Sequence, residues 1–369
     1  MNQNLTIQAL LASMGQLNAS DLHLKVGLAP YYRVMGDLRK ANVAALSADE
    51  IEQLVAPVIP AGRRSNYDDN GDVDFSLSLP TVGRFRFNVF RAAGGMNAAI
   101  RRVKGEIPSF EALHLPPIYR QLMEKTHEGL VLVCGVTGSG KSTTLAAMLE
   151  YVNETRHDHI VTIEDPIEYV FPARRCIISQ REIGIDIPDY SEGLKYIVRQ
   201  DPDVIFIGEM RDHFTMSAAL QAAETGHFVF GSLHTADAMQ AFGRILEFFP
   251  RTEHAFIRSS LANTLVGICA QRLLPGADPH KAPMVPATEV LLNTPTCRDL
   301  IRREQDTDLP ALISASEKEG MHNFTSSLAE LVNTELIFRD TAMKFAPNPD
   351  ALAGVLRGIR SATGGVIGR

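Results

Sequence analysis

Long hydrophobic runs are missing from this chain of 369 residues. Its longest apolar segments, such as Leu130–Cys134 and Val204–Ile207, are far shorter than the ~20 residues that a membrane-spanning helix needs. The N-terminal stretch MNQNLTIQALLASMG has no basic residue and no long apolar core, so we predict no signal peptide. We therefore expect no integral membrane segment and a cytoplasmic protein.

Cysteine is scarce as well, and the four cysteines lie far apart, at positions 134, 176, 269 and 297. No two of them have the C-x-x-C spacing, so neither a zinc ribbon nor a redox motif is predicted. We expect four isolated, buried thiols.

An excess of basic residues is also missing, since the formal net charge is −7. This charge argues against a surface coated for nucleic acid, and we expect no nucleic-acid partner, although a local basic groove stays open. The rest of the composition, 45% hydrophobic and 21% charged, is that of an ordinary globular protein. The length suits two or three domains.

Residues 1–104 have the pattern of a small α+β domain. The apolar spacing of Leu5, Leu10, Met14 and Leu17 predicts an opening amphipathic helix. The strict alternation over 84–89 predicts a half-buried strand that ends in a hairpin turn at 93–95. Further strand candidates are DLHLKV, YYRVMG, VDFSLSL and NAAIRRV. Residues 105–118, which contain three prolines, are interpreted as a linker.

Residues 119–275 alternate between strand and helix patterns, which is typical of a mainly parallel sheet covered by helices. Strand candidates are 129–135, 159–165, 203–209 and 226–234, and helix candidates are 141–156, 191–200 and 214–224. After Pro275 the pattern changes to helices, including 296–303, 309–319 and 325–333, which predicts a helical C-terminal subdomain over 276–360. The Gly-rich end, residues 361–369, is predicted to be a flexible tail.

The strongest signal is a G-x-x-x-x-G-K-[ST] motif between a predicted strand and a predicted helix. The motif and the residue after it read Gly135-Val136-Thr137-Gly138-Ser139-Gly140-Lys141-Ser142-Thr143. Its glycines let backbone N–H groups turn inward around phosphates, while Lys141 neutralises the β- and γ-phosphates and Ser142 binds Mg²⁺. The motif predicts nucleoside triphosphate binding. ATP is favoured because the guanine-reading tetrapeptide N-K-x-D is absent from the sequence.

Two predicted strands end in carboxylates, in the segments VTIEDPIEY and DVIFIGEMRD. In many P-loop proteins the second strand would end in an aspartate, but here Gly208 and Glu209 follow it. The carboxyl ends of parallel strands point into the crevice where ligands bind. Hydrolysis needs one group that holds the metal and another that activates water, and Glu164 and Glu209 can divide these tasks.

These segments also carry a family resemblance. GVTGSGKSTT, IEDPIEY, RQDPDVIFIGEMRD and AAETGHFVFGSLHTADA resemble the Walker A, Asp box, Walker B and His box of the secretion ATPase superfamily. They are most similar to the PilT-type twitching-motility (type IV pilus retraction) ATPases and their PilU paralogues, whose Walker B strand ends in Gly-Glu. NASDLHLKVG, GRFRFNVF, SQREIG and TPTCRDLIRRE extend the resemblance over nearly the whole chain.

The resemblance implies a cytoplasmic homo-hexameric ring in which each chain has a PAS-like N-terminal domain and a RecA-like ATPase core. It implies Glu164 as the general base and Glu209 as the residue that holds Mg²⁺, partly through water, alongside Ser142. It also implies His227 and His234 as a His-box pair at the γ-phosphate. Which glutamate does which task stays open.

A basic stretch without any Asp or Glu runs from position 84 to position 104. A solvated sheet face and nucleic-acid contact are two readings of this stretch, and the family suggests a third, in which N-terminal arginines contact nucleotide phosphates. The candidates for that contact are Arg84, Arg86, Arg91, Arg101 and Arg102.

Within the superfamily, the pattern favours retraction over assembly. Assembly-type relatives commonly carry an extra N-terminal domain and a four-cysteine zinc motif, and residues 296–304 resemble the retraction-linked AIRNLIRE motif. In that stretch Thr296-Cys297 replaces Ala-Ile, Asp299 replaces Asn, and Arg303 is extra. The implied partners are an inner-membrane pilus platform protein and a paralogous motor.

Other functions stay open at this point. The chain could be an accessory PilU-like retraction ATPase, or a related type II/IV secretion or pilus assembly ATPase. A non-hydrolysing regulatory subunit and a ring helicase are further alternatives, although the intact motif residues and the acidic composition count against them.

Overall fold

The computed structural model describes residues 5–103 and 106–358. The chain packs into two compact units. Unit 1 consists of Met1–Glu106 and Glu168–Val170, and unit 2 consists of Ile107–Ile167 and Phe171–Arg369. Lys104 at the end of the basic stretch and the predicted tail at 361–369 lie outside the described residues.

Unit 1 is a six-stranded antiparallel sheet with three helices packed on one face. Its helices are α1 (Ile7–Gln16), α2 (Ala48–Val55) and α3 (Ala61–Asn70). Its strands are β1 (Asp21–Leu24), β2 (Tyr31–Val34), β3 (Asp37–Lys40), β4 (Asp72–Leu79), β5 (Gly83–Ala92) and β6 (Gly95–Val103). The strand order is β3-β2-β1-β6-β5-β4, so the predicted α+β class is confirmed.

Apolar and basic residues alternate along β5, so one face of this sheet is buried against the helices. Phe85 and Phe87 are fully buried under the helices, and Phe87 stacks on Phe75 of β4 at 4.8 Å between ring centroids. Arg84 and Arg86 point to the opposite face, as the period of two predicts.

Unit 2 contains a seven-stranded sheet in the order β13-β12-β7-β11-β10-β8-β9. All neighbouring pairs are parallel except β12 and β13, which are antiparallel. The strands are β7 (Gly129–Cys134), β8 (His159–Glu164), β9 (Ile177–Glu182), β10 (Val204–Ile207), β11 (Phe228–Leu233), β12 (Leu265–Pro275) and β13 (Met284–Leu292).

Helices cover this sheet and form most of the C-terminal segment. The helices near the sheet are α4 (Ile118–Lys125), α5 (Lys141–Thr155), α6 (Tyr190–Ile197), α7 (His213–Glu224), α8 (Ala238–Glu247) and α9 (His254–Thr264). The C-terminal helices are α10 (Pro295–Arg302), α11 (Leu309–Ala315), α12 (Phe324–Asn333), α13 (Arg339–Phe345) and α14 (Pro349–Leu356). The predicted α/β class with a helical C-terminal segment is confirmed.

Three strands of this sheet, β9, β12 and β13, are absent from the strand candidates. The expectation that the chain is helical after Pro275 is wrong for Met284–Leu292, which pairs with β12 over nine residues. Pro286 and Glu289 interrupt the apolar pattern of β13, and a proline is tolerated there because β13 lies at the edge of the sheet. β12 follows α9 directly, without a Gly or Pro that would mark the boundary.

All four cysteines are free and buried, which confirms the expected isolated thiols. Burial raises the pKa of Cys134, of Cys269 and of Cys297 to about 12 in each case, so these thiols stay protonated. Within residues 5–103 and 106–358, no helix has the length and apolar character to cross a membrane.

A buried ion pair fastens α9 to the loop after α10. The guanidinium of Arg258 donates to both carboxylate oxygens of Asp306 at 2.7 Å, and it donates to the carbonyl oxygen of Ile301 at 3.2 Å. Arg258 is buried, so these contacts replace its hydration. The pair therefore holds the C-terminal end of α10 against α9.

We predict that Arg258→Met lowers the melting temperature by about 6 °C or more. Loss of one partner from a buried pair costs about 3 kcal/mol because the carboxylate stays without its cation. Arg244→Met is the control, since Arg244 is an exposed arginine of α8 that pairs with Glu247 of the same helix at 2.8 Å. Its effect should stay near zero, and equal melting temperatures for both variants would contradict a structural role for Arg258.

Candidate nucleotide site

The phosphate loop connects the end of β7 at Cys134 to the start of α5 at Lys141. Gly135 has φ +156°, and a Cβ there would lie 2.3 Å from the Ser139 hydroxyl and 2.6 Å from the Gln271 carbonyl oxygen. Val136, Thr137 and Gly138 form an exposed crest, whereas Ser139 is buried. The base of the loop is therefore tightly packed, and its crest faces solvent.

Lys141 is held inside this loop. Its ammonium group donates to the carbonyl oxygens of Gly135 at 2.8 Å and Val136 at 3.3 Å, and its side chain is largely buried. Ser142 and Thr143 follow on the first turn of α5, both half-buried. A fixed cation beside a helix N-terminus is an arrangement that binds phosphate oxygens.

The parallel pairing brings three further side chains to the same edge of the sheet. Glu164 is the last residue of β8, Glu209 comes two residues after the end of β10, and His234 directly follows β11. These strands and β7 are neighbours in the order β7-β11-β10-β8. The structure therefore places the phosphate loop, both glutamates and His234 at the carboxyl ends of four adjacent strands.

Glu164 is buried, and two neutral side chains donate hydrogen bonds to its carboxylate. Its carboxylate accepts a hydrogen bond from the Thr162 hydroxyl at 2.7 Å and from the Gln180 side-chain amide at 3.2 Å. These two contacts fix the direction in which the carboxylate points.

Glu209 is half-buried and lies between two basic side chains. Its two carboxylate oxygens contact Arg211 at 2.7 Å and the Nε2 atom of His234 at 3.2 Å. Burial raises the pKa of Glu209, but the Arg211 hydrogen bond and the His234 charge outweigh it, so the net pKa lies below its usual value. Glu209 is therefore an anion at neutral pH.

His227 is not brought to this edge, which corrects the expectation of a histidine pair at the γ-phosphate. It precedes β11, so it lies about 23 Å from His234, the length of seven residue steps at ~3.3 Å each. Its Nδ1 atom contacts the carbonyl oxygen of Ala222 at 2.9 Å and the hydroxyl of Thr225 at 3.1 Å. These contacts fix His227 at the opposite end of the strand.

Tyr190 and Arg211 lie at the site although they are not among the predicted site residues. The Tyr190 hydroxyl and the Ile163 carbonyl oxygen each lie 3.2 Å from the position of a Cβ on Gly208, so a larger residue there would require its neighbours to shift. Burial raises the pKa of Tyr190 well above its usual range, so its hydroxyl keeps its proton. Arg211 belongs to the segment DVIFIGEMRD, which the sequence already marked as part of the site. Tyr190 is the first residue of α6 and lies in no recognised motif.

The five candidate arginines of unit 1 do not share one face. In the cross-strand row of β5, β6 and β1, Arg86 is opposite Arg101, and Arg101 is opposite Asp21. Arg101 donates to Asp21 at 2.9 Å. Arg84 lies on the same face of the sheet as Arg86, whereas Arg91 and Arg102 lie on the opposite face because side chains alternate along a strand. Arg91 packs over the Tyr67 ring of α3.

The side chains near the phosphate loop include oxygen donors of the kind that bind Mg²⁺. Within the described residues, no cluster of three or more His, Cys, Asp or Glu side chains is arranged to hold a metal ion. Mg²⁺ usually binds through one or two protein oxygens together with substrate phosphates. Ser142 at the start of α5 and the anionic Glu209 supply oxygens of the required type.

The family profile described as "Type II/IV secretion system protein" matches residues 5–318. The chain belongs to the Type II/IV secretion system protein family. Its match to the "Type IV pilus retractation ATPase PilT" of Pseudomonas aeruginosa is 39% identical over 93% of this chain and 99% of that protein.

Two further known proteins are similar to this chain over nearly their whole length. The "Type IV pilus ATPase PilU" of Pseudomonas aeruginosa is 37% identical over 94% of this chain and 90% of its own. The crystal structure of the pilus retraction motor PilT with bound ADP superposes with a TM-score of 0.88. It is 40% identical and covers 95% of this chain and 99% of its own. The predicted resemblance to PilT-type ATPases is thereby confirmed.

The segment that resembles the AIRNLIRE motif of this family forms α10. Cys297, which stands in place of the motif's isoleucine, is fully buried beside Ile301. Asp299, in place of the asparagine, is exposed, and so are Arg302 and the extra Arg303. The departures therefore keep a small apolar group inside the helix packing and change charge only at the surface.

We predict that Lys141→Ala abolishes tight ATP binding, because the phosphates lose their fixed cation. Isothermal titration with ATP measures the affinity, and Lys125→Ala, which removes an exposed lysine of α4, is the control. Near-normal affinity of the Lys141 variant would contradict the assignment of the phosphate loop.

Proposed function

We propose that this chain is a Mg²⁺-dependent ATPase motor that drives type IV pilus retraction and thereby twitching motility. The observation that carries the proposal is the convergence of Lys141, Glu164 and Glu209 at one edge of a parallel sheet. The retraction function follows from the similarity to PilT along nearly the entire length of both chains.

The hydrolysis step uses the groups at this edge. Water attacks the γ-phosphorus, and the bond from that phosphorus to the β–γ bridging oxygen breaks. ADP leaves with the electrons of that bond, and Glu164 accepts the proton from the water. The fixed, buried carboxylate of Glu164, held by Thr162 and Gln180, supports its role as the base.

Ser142 and Glu209 are the proposed ligands of Mg²⁺, the latter partly through water. A bound Mg²⁺ would supply charge neutralisation for the phosphates. The low pKa of Glu209 keeps its carboxylate ionised for this task, and His234 fixes its orientation from 3.2 Å.

The chain acts in this proposal as a cytoplasmic homo-hexamer whose partner is an inner-membrane pilus platform protein, with a paralogous motor as a further partner. Residues 1–104 serve as the PAS-like domain, 105–118 as the linker, 119–275 as the ATPase core and 276–360 as the C-terminal subdomain. The candidate arginines supply positive charge to nucleotide in the assembled ring. Of these, Arg84, Arg86 and Arg101 are the better candidates because they share one sheet face.

An accessory retraction ATPase is the second candidate function. The similarity to PilU, at 37% identity and 90% coverage of that protein, favours it as a specific alternative. The chemistry of the site would be the same in both cases.

We predict that Glu164→Gln and Glu209→Gln each preserve ATP binding but reduce turnover by about 10²-fold or more, the usual scale for a lost acid–base group. Phosphate release measures turnover, and titration measures binding. Glu128→Gln is the control, since Glu128 is exposed and precedes β7 at the opposite end of the sheet. If either site variant hydrolyses ATP normally, the role of that glutamate is wrong.

Deletion of the gene in its own host tests the biological function. We predict that pili persist while twitching stops, and that wild-type protein restores twitching but the Lys141→Ala variant does not. Loss of pili altogether would favour an assembly motor, and unchanged twitching would contradict a principal retraction role.

A further inference from the structure

Gln271 of β12 contacts the phosphate loop from a neighbouring strand, although no motif points to it. Only about 1% of the residue is exposed. Its side-chain amide donates to the carbonyl oxygen of Ser139 at 2.6 Å. A buried side chain of β12 therefore holds the backbone of the loop directly.

Gln271 is also packed against both ends of the loop. Its backbone carbonyl oxygen lies 2.6 Å from the position of a Cβ on Gly135, and its side-chain amide nitrogen lies 3.0 Å from that of a Cβ on Gly140. Only the second of these contacts depends on the glutamine side chain.

The hydrogen bond to Ser139 fixes the direction of the next backbone N–H group. In a planar trans peptide the C=O and N–H bonds point in opposite directions. Gln271 holds the Ser139 carbonyl towards β12, so the N–H group of Gly140 points the other way, into the loop. Inward N–H groups are what bind phosphate oxygens in such a loop.

Packing alone does not explain why residue 271 is a glutamine and not an apolar residue. The Oε1 atom is buried and has no hydrogen-bond partner within the described residues. A buried acceptor without a partner costs free energy, so an apolar side chain would serve the sheet at least as well. The single contact that an apolar residue could not make is the one to Ser139.

We infer that Gln271 is a positioning residue of the nucleotide site: its amide holds the Ser139–Gly140 peptide in the orientation that binds phosphate. The inference rests on the proposed function, because it concerns the same phosphate loop. Gln271 acts through the loop and does not itself reach the reacting atoms.

Gln271→Met tests this role, since it keeps the length of the side chain and removes the donor. We expect the Kd values for ATP and for ADP to rise together, by about tenfold or more, because both nucleotides use the same N–H groups. The turnover number at saturating ATP should stay within about threefold, since Glu164 and Glu209 are untouched. Gln271→Asn, whose amide is one methylene shorter, carries the same test if the methionine variant does not fold.

Thr288→Val is the matched control. Thr288 pairs with Gln271 across β12 and β13, is equally buried and hydrogen-bonds to Ser327 and His322 instead of the loop. Equal loss of affinity in this control, or Kd values of the Gln271 variants within twofold of wild type, would overturn the inference. A fall in turnover at unchanged affinity would overturn it as well. If the wild-type protein itself bound no nucleotide, the proposed function would fail instead.

Discussion

The parallel pairing of β7, β11, β10 and β8 is the constraint on which the nucleotide site depends. The side chains along these strands are mostly buried and apolar, so few polar groups lie along their length. Polar groups are concentrated where the strands end, and the parallel direction puts all four ends at one edge. The phosphate loop, Glu164, Glu209 and His234 meet there for this reason. A strand of reversed direction would send its terminal carboxylate to the far edge, where His227 lies.

The two glutamates differ in their surroundings more than in their positions. Glu164 is buried and contacts the neutral groups of Thr162 and Gln180, whereas Glu209 contacts Arg211 and His234. A carboxylate between two basic groups stays ionised and suits a metal ion, and a buried carboxylate in a fixed orientation suits proton transfer. The glycine at position 208 lies in a tightly packed place, because a Cβ there would lie 3.2 Å from both the Tyr190 hydroxyl and the Ile163 carbonyl oxygen.

The central strands and the phosphate loop could be predicted because their signals are local. A short apolar run followed by a glycine motif or a carboxylate identifies β7, β8 and β10 without knowledge of their neighbours. β13 escaped prediction because Pro286 and Glu289 are tolerated at a sheet edge, which only the strand order reveals. Gln271 and Tyr190 escaped because they reach the site from β12 and α6, distant in sequence. His227 was misplaced because one strand separates it from His234, and spacing alone does not say which end faces the ligand.

A structure of the Glu164→Gln variant with ATP and Mg²⁺ tests the central claim most directly. We expect the Lys141 ammonium to contact the β- and γ-phosphates, and Ser142 and a water held by Glu209 to be ligands of Mg²⁺. We also expect the Ser139 carbonyl to stay bonded to Gln271. Triphosphate bound away from the loop at 135–142, or Mg²⁺ out of reach of both Ser142 and Glu209, would contradict the account.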